Sequence, residues 1–313
     1  MTDSTRSVLA SLSSPAPTDL RPLSRRYFLQ ATAAGSSTDG VLVVVTMAGG
    51  NDSINTVVPI NDSAYVSRRS GLAIPFASTL ALDAARGLHP SLPTVKAQWD
   101  LGNVAVIEGV GHPSPDLSHF TSMARVMQGS ASGGVPTPGW LGRAGDLLGG
   151  TDNPFVGVHF GASVPLVMAG QSSQAIAVPE RPSGLFRSTT SSVDQRQQQA
   201  LARIGGSATG LGVMGDELAR RGAEAFVVAN DLAGSYAAAT PAGRLAQPMT
   251  LAARFVNANL GVRVVRLLYG DFDHHAEQAA EHADRLAEFD AGLAAFLAAL
   301  APAHHRRTVV LTT

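Results

Sequence analysis

A chain of 313 residues with 45% apolar and 15% charged side chains is built to fold, and this balance excludes a wholly disordered polypeptide. Its net charge of -1 argues against nucleic-acid binding driven by counterion release. It has no cysteine, which excludes thiol catalysis, thiolate metal sites and disulfides, and no apolar run nears the ~18 residues of a spanning helix, so no integral membrane segment is expected.

Residues 1–39 read as a leader. The first 22 are polar and rich in Ser, Thr and Pro, with no periodicity, and are expected to be disordered. Ser24-Arg25-Arg26-Tyr27-Phe28-Leu29 then matches the S-R-R-x-F-L part of a twin-arginine export signal. The apolar stretch after it, residues 28–34, is short for the ~7–15 residues of an export signal's apolar region. If the leader works, the expected partner is the twin-arginine export machinery and the destination is periplasmic or extracellular. If it does not, the chain is cytoplasmic.

Residues 40–313 read as one α/β domain. Val41–Met47 is a continuous β-branched run, the pattern of a strand buried on both faces of a parallel sheet. Residues 103–107 and 262–269 repeat that pattern, as does the run at 308–312, and weaker strands are expected at 154–158 and 165–168. The two arginines in 262–269 suggest that one end or face of that strand reaches solvent. Helical spacing of apolar residues appears at 92–99, 118–127, 140–148, 216–236, 241–259 and 277–300. Strands alternating with helices predict a mostly parallel central sheet flanked by helices. A polar segment from residue 183 opens an expected insert over the sheet that extends to about residue 260. His304-His305-Arg306-Arg307 reads as a solvated turn rather than a metal site.

Three segments carry candidate chemistry. Gly49-Gly50-Asn51-Asp52 follows the first strand, where an open α/β sheet binds ligands, and Asp52 there could hold a hard or borderline cation. Asn-Asp after Gly-Gly is also ordinary turn chemistry. In the second segment, 109–120, Ser118 falls near a helix N-terminus, suited to contacting an anionic group or attacking it when a metal lowers its pKa. A plain serine N-cap is the simpler reading. In the third, 270–282, Asp273 and His275 stand two residues apart and point the same way in extended backbone, and carboxylate with imidazole suits zinc, manganese or iron. An early helix start would put His275, Gln278 and His282 on one face, although acidic residues are common in any first turn. No G-x-G-x-x-G, Walker loop or G-x-S-x-G elbow is present, which removes the main support for nucleotide-dependent and α/β-hydrolase readings.

In this order, residues 49–59, 109–120, Gly139-Trp140-Leu141-Gly142-Arg143 and Asp273–Gln278 resemble segments of the bacterial domain-of-unknown-function 1501 family, with Ser53 in place of a family glycine. That family is similar to the alkaline phosphatase and sulfatase superfamily. The resemblance implies an alkaline phosphatase-like fold and a metal-dependent hydrolase acting on a small anionic phosphate or sulfate ester. It implies Asp52, Asp273 and His275 as metal ligands, zinc or manganese as the divalent ion, and Ser118 as nucleophile or anion contact. The family continues beyond the last strand with S-E-F-G-R and D-H-G segments, whereas this sequence stops at Thr313. The expectation is therefore a fold missing its C-terminal part and a site with little or no activity. The rival expectation is a non-catalytic exported binding or scaffold protein that keeps the fold.

Overall fold

Val41–Met47, strand β1, is buried along nearly its whole length because it is the fourth of five strands in the central sheet. The computed structural model describes residues 40–111, 115, 118–129, 138–148, 153–172, 175–181, 196, 199–200, 203 and 210–313. The twin-arginine segment, most of residues 112–117 and most of the polar stretch from residue 182 lie outside the described residues. In chain order the other strands are β2 (Val57–Pro59), β3 (Leu80–Ala81), β4 (Arg86–Leu88), β5 (Gly157–Phe160), β6 (Ala175–Val178), β7 (Val264–Tyr269) and β8 (Thr308–Thr312). The helices are α1 (Ser53–Thr56), α2 (Ser63–Arg69), α3 (Pro93–Asp100), α4 (His119–Gln128), α5 (Trp140–Leu148), α6 (Val213–Ala237), α7 (Ala246–Asn257) and α8 (Gln278–Ala299).

The central sheet has the order β6-β5-β7-β1-β8, and every pairing in it is parallel. Residues alternate between its faces. On one face Val43, Val45, Val265, Leu267, Val158 and Phe160 join Leu232 of α6, Met249 and Phe255 of α7, and Leu286 and Phe296 of α8 in the main core. Helix α7 falls inside the range expected as an insert, yet nine of its residues are buried and it belongs to this core. The other face carries Leu42, Val44, Val264, Arg266 and His159. Helix α5 contacts β7 and the 3-10 turn Leu166–Met168. A small antiparallel sheet, β2-β4-β3, stands beside the main one.

The α/β expectation holds: the sheet is parallel and flanked by helices. Two expected strands do not form. Residues 103–107 make no ladder, and only Val104 and Val106 are even half-buried. Residues 165–168 turn as a 3-10 helix, Leu166–Met168, which seats α5 instead of joining the sheet. The solvated turn expected at 304–307 is part of another 3-10 helix, Pro302–Arg307, with His304 buried. Among the described residues no helix is long and apolar enough to cross a membrane.

Beneath the second face, His159 lies buried with Nδ1 3.2 Å from the Arg266 carbonyl oxygen. Burial, reinforced by the Arg266 charge, pushes its pKa down to about 4, and the carbonyl contact opposes this. A base with a lowered native pKa binds fewer protons folded than unfolded. Its contribution is therefore whole above the unfolded value near ~6.5 and is lost as pH falls from there toward 4. At pH 5 the loss is expected to be about 2 kcal/mol. Urea unfolding at pH 7 and pH 5 should show this drop in the wild type and a smaller one in His159→Phe.

Candidate functional site

Strands β1 and β7 are parallel neighbours, so the loops that follow them leave the same, carboxyl edge of the sheet. They touch through backbone. Phe272 N donates to the Ala48 carbonyl at 3.2 Å, and a Cβ at Gly49 would stand 2.6 Å from Asp273 N. Gly49 has φ 110°, a conformation that favours glycine, so loop approach and backbone shape both require that residue.

Asp52 caps the short helix α1, its side chain accepting from Asn55 N. One of its carboxylate oxygens also takes an ion pair from Arg69 at the end of α2. The other accepts from Gln278 Nε2 at 2.7 Å, at the first turn of α8. Its neighbour Asn51 presents Oδ1 to Thr56 Oγ1 at 3.1 Å and to His282 Nε2 at 2.9 Å. With that oxygen as acceptor, His282 carries its proton on Nε2. His282 is buried, with the rings of His89, His274 and Phe272 around it at centroid distances of 5.7, 6.3 and 6.2 Å. Burial pushes its pKa down to about 4, while the Asp52 charge pulls the other way. The His274 side chain is nearly enclosed, and its Nε2 has no hydrogen-bond partner; the nearest carboxylate oxygen, Glu281 Oε2, is 3.7 Å away.

Asp273 and His275 lie outside this enclosed cluster. Their side chains are 49% and 85% exposed, with Asp273 Oδ1 3.3 Å from His275 Nε2. His119 Nε2 is 3.8 Å from the same oxygen, which joins the second candidate segment to the third. The expected alignment of His275 with Gln278 and His282 does not occur, because α8 begins only at Gln278. Ser118 is the N-cap of α4, its Oγ accepting from Thr121 N at 3.4 Å.

In donor type Asp273 and His275 suit zinc or manganese, and a 3.3 Å separation of donor atoms is compatible with two ligands of one ion. Asp52 suits such an ion only by releasing Arg69. Among the described residues no group of three or more His, Asp or Glu side chains is arranged to hold a metal ion. A cavity of about 380 Å³ lies at the opposite, amino edge, between Val41, Asn153, Arg263 and Arg307, remote from these loops.

Reading the sequence missed Arg69, His89, His274 and the contact of His119 with Asp273. His119 carried a usable signal, since it adjoins Ser118. Arg69 carried none, because two arginines in a last helical turn read as a dipole-compensated solvated end.

No curated protein and no solved structure matches the chain. A family model described as protein of unknown function (DUF1501) matches residues 101–313, a span that includes Ser118, Asp273 and His275 but not Asp52. That span is more than half of the 313 residues, so the chain belongs to the DUF1501 family.

Proposed function

We propose that the chain is a metal-dependent hydrolase of phosphate or sulfate esters, working at the carboxyl edge beside β1 and β7. The observation that carries this reading is the 3.8 Å approach of His119, the residue after Ser118, to Asp273. Ser118 adjoins His119 in the chain and Asp273 lies 155 positions after Ser118, so this approach supports bringing the candidate nucleophile's segment and a candidate donor to one site. Asp273 and His275 would hold a zinc or manganese ion, with Asp52 as a third ligand once Arg69 is displaced. Such an ion supplies Lewis acidity and a lowered pKa for a coordinated hydroxyl or water.

The chain's own groups supply the rest. The N-terminal turn of α4 presents backbone N–H groups and the positive end of the helix dipole to an anionic ester. Ser118 Oγ contacts the phosphoryl or sulfuryl group, or attacks it as the alcohol leaves, and water then cleaves the serine ester. Gln278 and His282 fix Asp52 and Asn51, which keeps the first loop in register with the third.

A second reading, an exported binding or scaffold protein without catalysis, is favoured by the engagement of both Asp52 oxygens with Arg69 and Gln278. Hydrolysis of nitrophenyl phosphate and nitrophenyl sulfate with added zinc or manganese separates the two. The hydrolase reading expects metal-dependent turnover that falls at least about a hundredfold in Asp273→Ala and in Ser118→Ala. Absence of turnover with either metal on either ester leaves the scaffold reading.

A further inference from the structure

The amino edge of the central sheet, opposite the candidate site, holds a cavity of about 380 Å³. A volume of that order is what small-molecule sites use. The starts of β1, β5, β7 and β8 converge on it with the ends of α5 and α7. Val41, Val156, Val256 and Val262 form an apolar floor, and each is at most 5% exposed. Asn259 and Gly261, both exposed, also line the cavity, so it opens to solvent.

The polar part of the wall is held in place. Asn153 is locked on both sides: its Nδ2 donates to the Leu260 carbonyl and its Oδ1 accepts from Phe155 N, each at 2.9 Å. Gly261 has φ 81°, and a Cβ there would stand 2.2 Å from Asn153 Nδ2, so glycine gives this amide its place. Arg307 donates from Nε to His304 Nδ1 at 2.7 Å and from a terminal nitrogen to Asn259 Oδ1 at 3.0 Å. Burial, and after it the Arg307 charge, push the His304 pKa down, so the imidazole stays neutral and its Nδ1 accepts. Both partners are neutral, and neither cancels the guanidinium charge. Arg263 stands on the same wall, and among the described lining residues there is no carboxylate. The last carbonyls of α7 are already answered from within the chain: Arg254 O accepts from Ala258 N at 2.9 Å and Val256 O from Asn259 N at 3.3 Å.

An apolar floor below a cationic rim fits a molecule with a short apolar body and one anionic end, and a guanidinium fork matches the two oxygens of such an end. We propose that this cavity binds a small organic anion, an apolar body carrying a carboxylate or phosphoryl group, with Arg307 as its anchor and the valine floor around its body. The site shares no residue with the candidate metal site and goes beyond the hydrolase reading.

The experiment is calorimetric titration of the 313-residue chain in EDTA with benzoate and with phenylphosphonate, which has no ester to hydrolyse. Acetate supplies the charge without the body and benzyl alcohol the body without the charge. At least one aromatic anion should bind saturably, at least about tenfold more tightly than acetate or benzyl alcohol. The tighter of the two aromatic anions identifies the anionic group. Arg307→Gln should weaken that binding at least about tenfold, and Arg307→Lys, which keeps the charge without the fork, should fall between. Leu148→Trp, which fills the cavity from the end of α5 and leaves Arg307 in place, should abolish binding. The proposal is overturned if the wild type binds neither aromatic anion, if acetate or benzyl alcohol binds as tightly, or if Arg307→Gln binds unchanged. Should Arg307→Gln not fold, Leu148→Trp decides, and unchanged binding there overturns the proposal equally. Because the titration contains no free metal, its failure and the failure of metal-dependent hydrolysis are separate results.

Discussion

Gly142→Ala is expected to destabilise the chain by about 3–4 kcal/mol, a large share of the roughly 5–15 kcal/mol that holds an ordinary domain folded. A Cβ at Gly142 would lie 2.1 Å from both C and O of Ala169 and 2.3 Å from Gly170 N. These are backbone atoms, so no side-chain rotation relieves the clash. Gly139 is under the same constraint, 2.2 Å from the Leu166 carbonyl oxygen, and its N–H donates to the Ala169 carbonyl at 2.9 Å. Helix α5 can therefore seat on the Leu166–Met168 turn only with glycine at both places. Arg143 ties the same helix down by donating to the carbonyls of Pro138 and, at 2.6 Å, Gln128. Gly222, in the interior of α6 with open space where its Cβ would go, is the control. Gly222→Ala should gain up to about 1 kcal/mol from helix propensity. Urea midpoints of the two variants should move in opposite directions; equal midpoints would show that α5 is not seated this closely.

Asp290→Ala is expected to cost about 2–4 kcal/mol. Helix α3 starts at Pro93 and has no capping side chain of its own, because its N-cap residue is Leu92. The cap comes from α8: the buried Asp290 carboxylate accepts from Thr94 N at 2.9 Å and from Val95 N at 3.0 Å. Alanine would leave both N–H groups without that acceptor and α3 loosened from α8. Asp290→Asn keeps one acceptor oxygen and should cost about half as much. Hydrogen exchange would localise the effect, with faster exchange at Thr94 and Val95 than elsewhere. Uniform loss of protection would contradict the capping role.

Strands β1 and β7 were readable because their residues are apolar almost without interruption, which only a strand covered on both faces tolerates. The main helices were readable from spacing, with ends displaced by a few residues. Residues 103–107 have strand composition but find no partner, and composition carries no information about pairing. Asp290 looked like any acid on an amphipathic helix, since its partners lie 195 and 196 residues away. At the candidate site the three segments were visible as motifs, and their loops do meet through Gly49 with Asp273 and through His119 with Asp273. The counter-charge on Asp52 was not visible, because nothing local links Arg69 to a residue 17 positions earlier. Nor was the enclosure of Arg266, which is 2% exposed, since an arginine in a β-branched run reads as an edge or an exposed face.

The proposed hydrolase needs a divalent metal held by Asp273 and His275 at the carboxyl edge beside β1 and β7. Calorimetric titration of zinc into the 313-residue chain tests it most directly, with Asp273→Ala and His275→Ala titrated alongside. Both side chains are largely exposed, so neither substitution should disturb folding. The wild type should bind one equivalent of zinc, and each variant should bind it at least about tenfold more weakly. Zinc binding of equal strength in all three proteins, or none in the wild type, would contradict it.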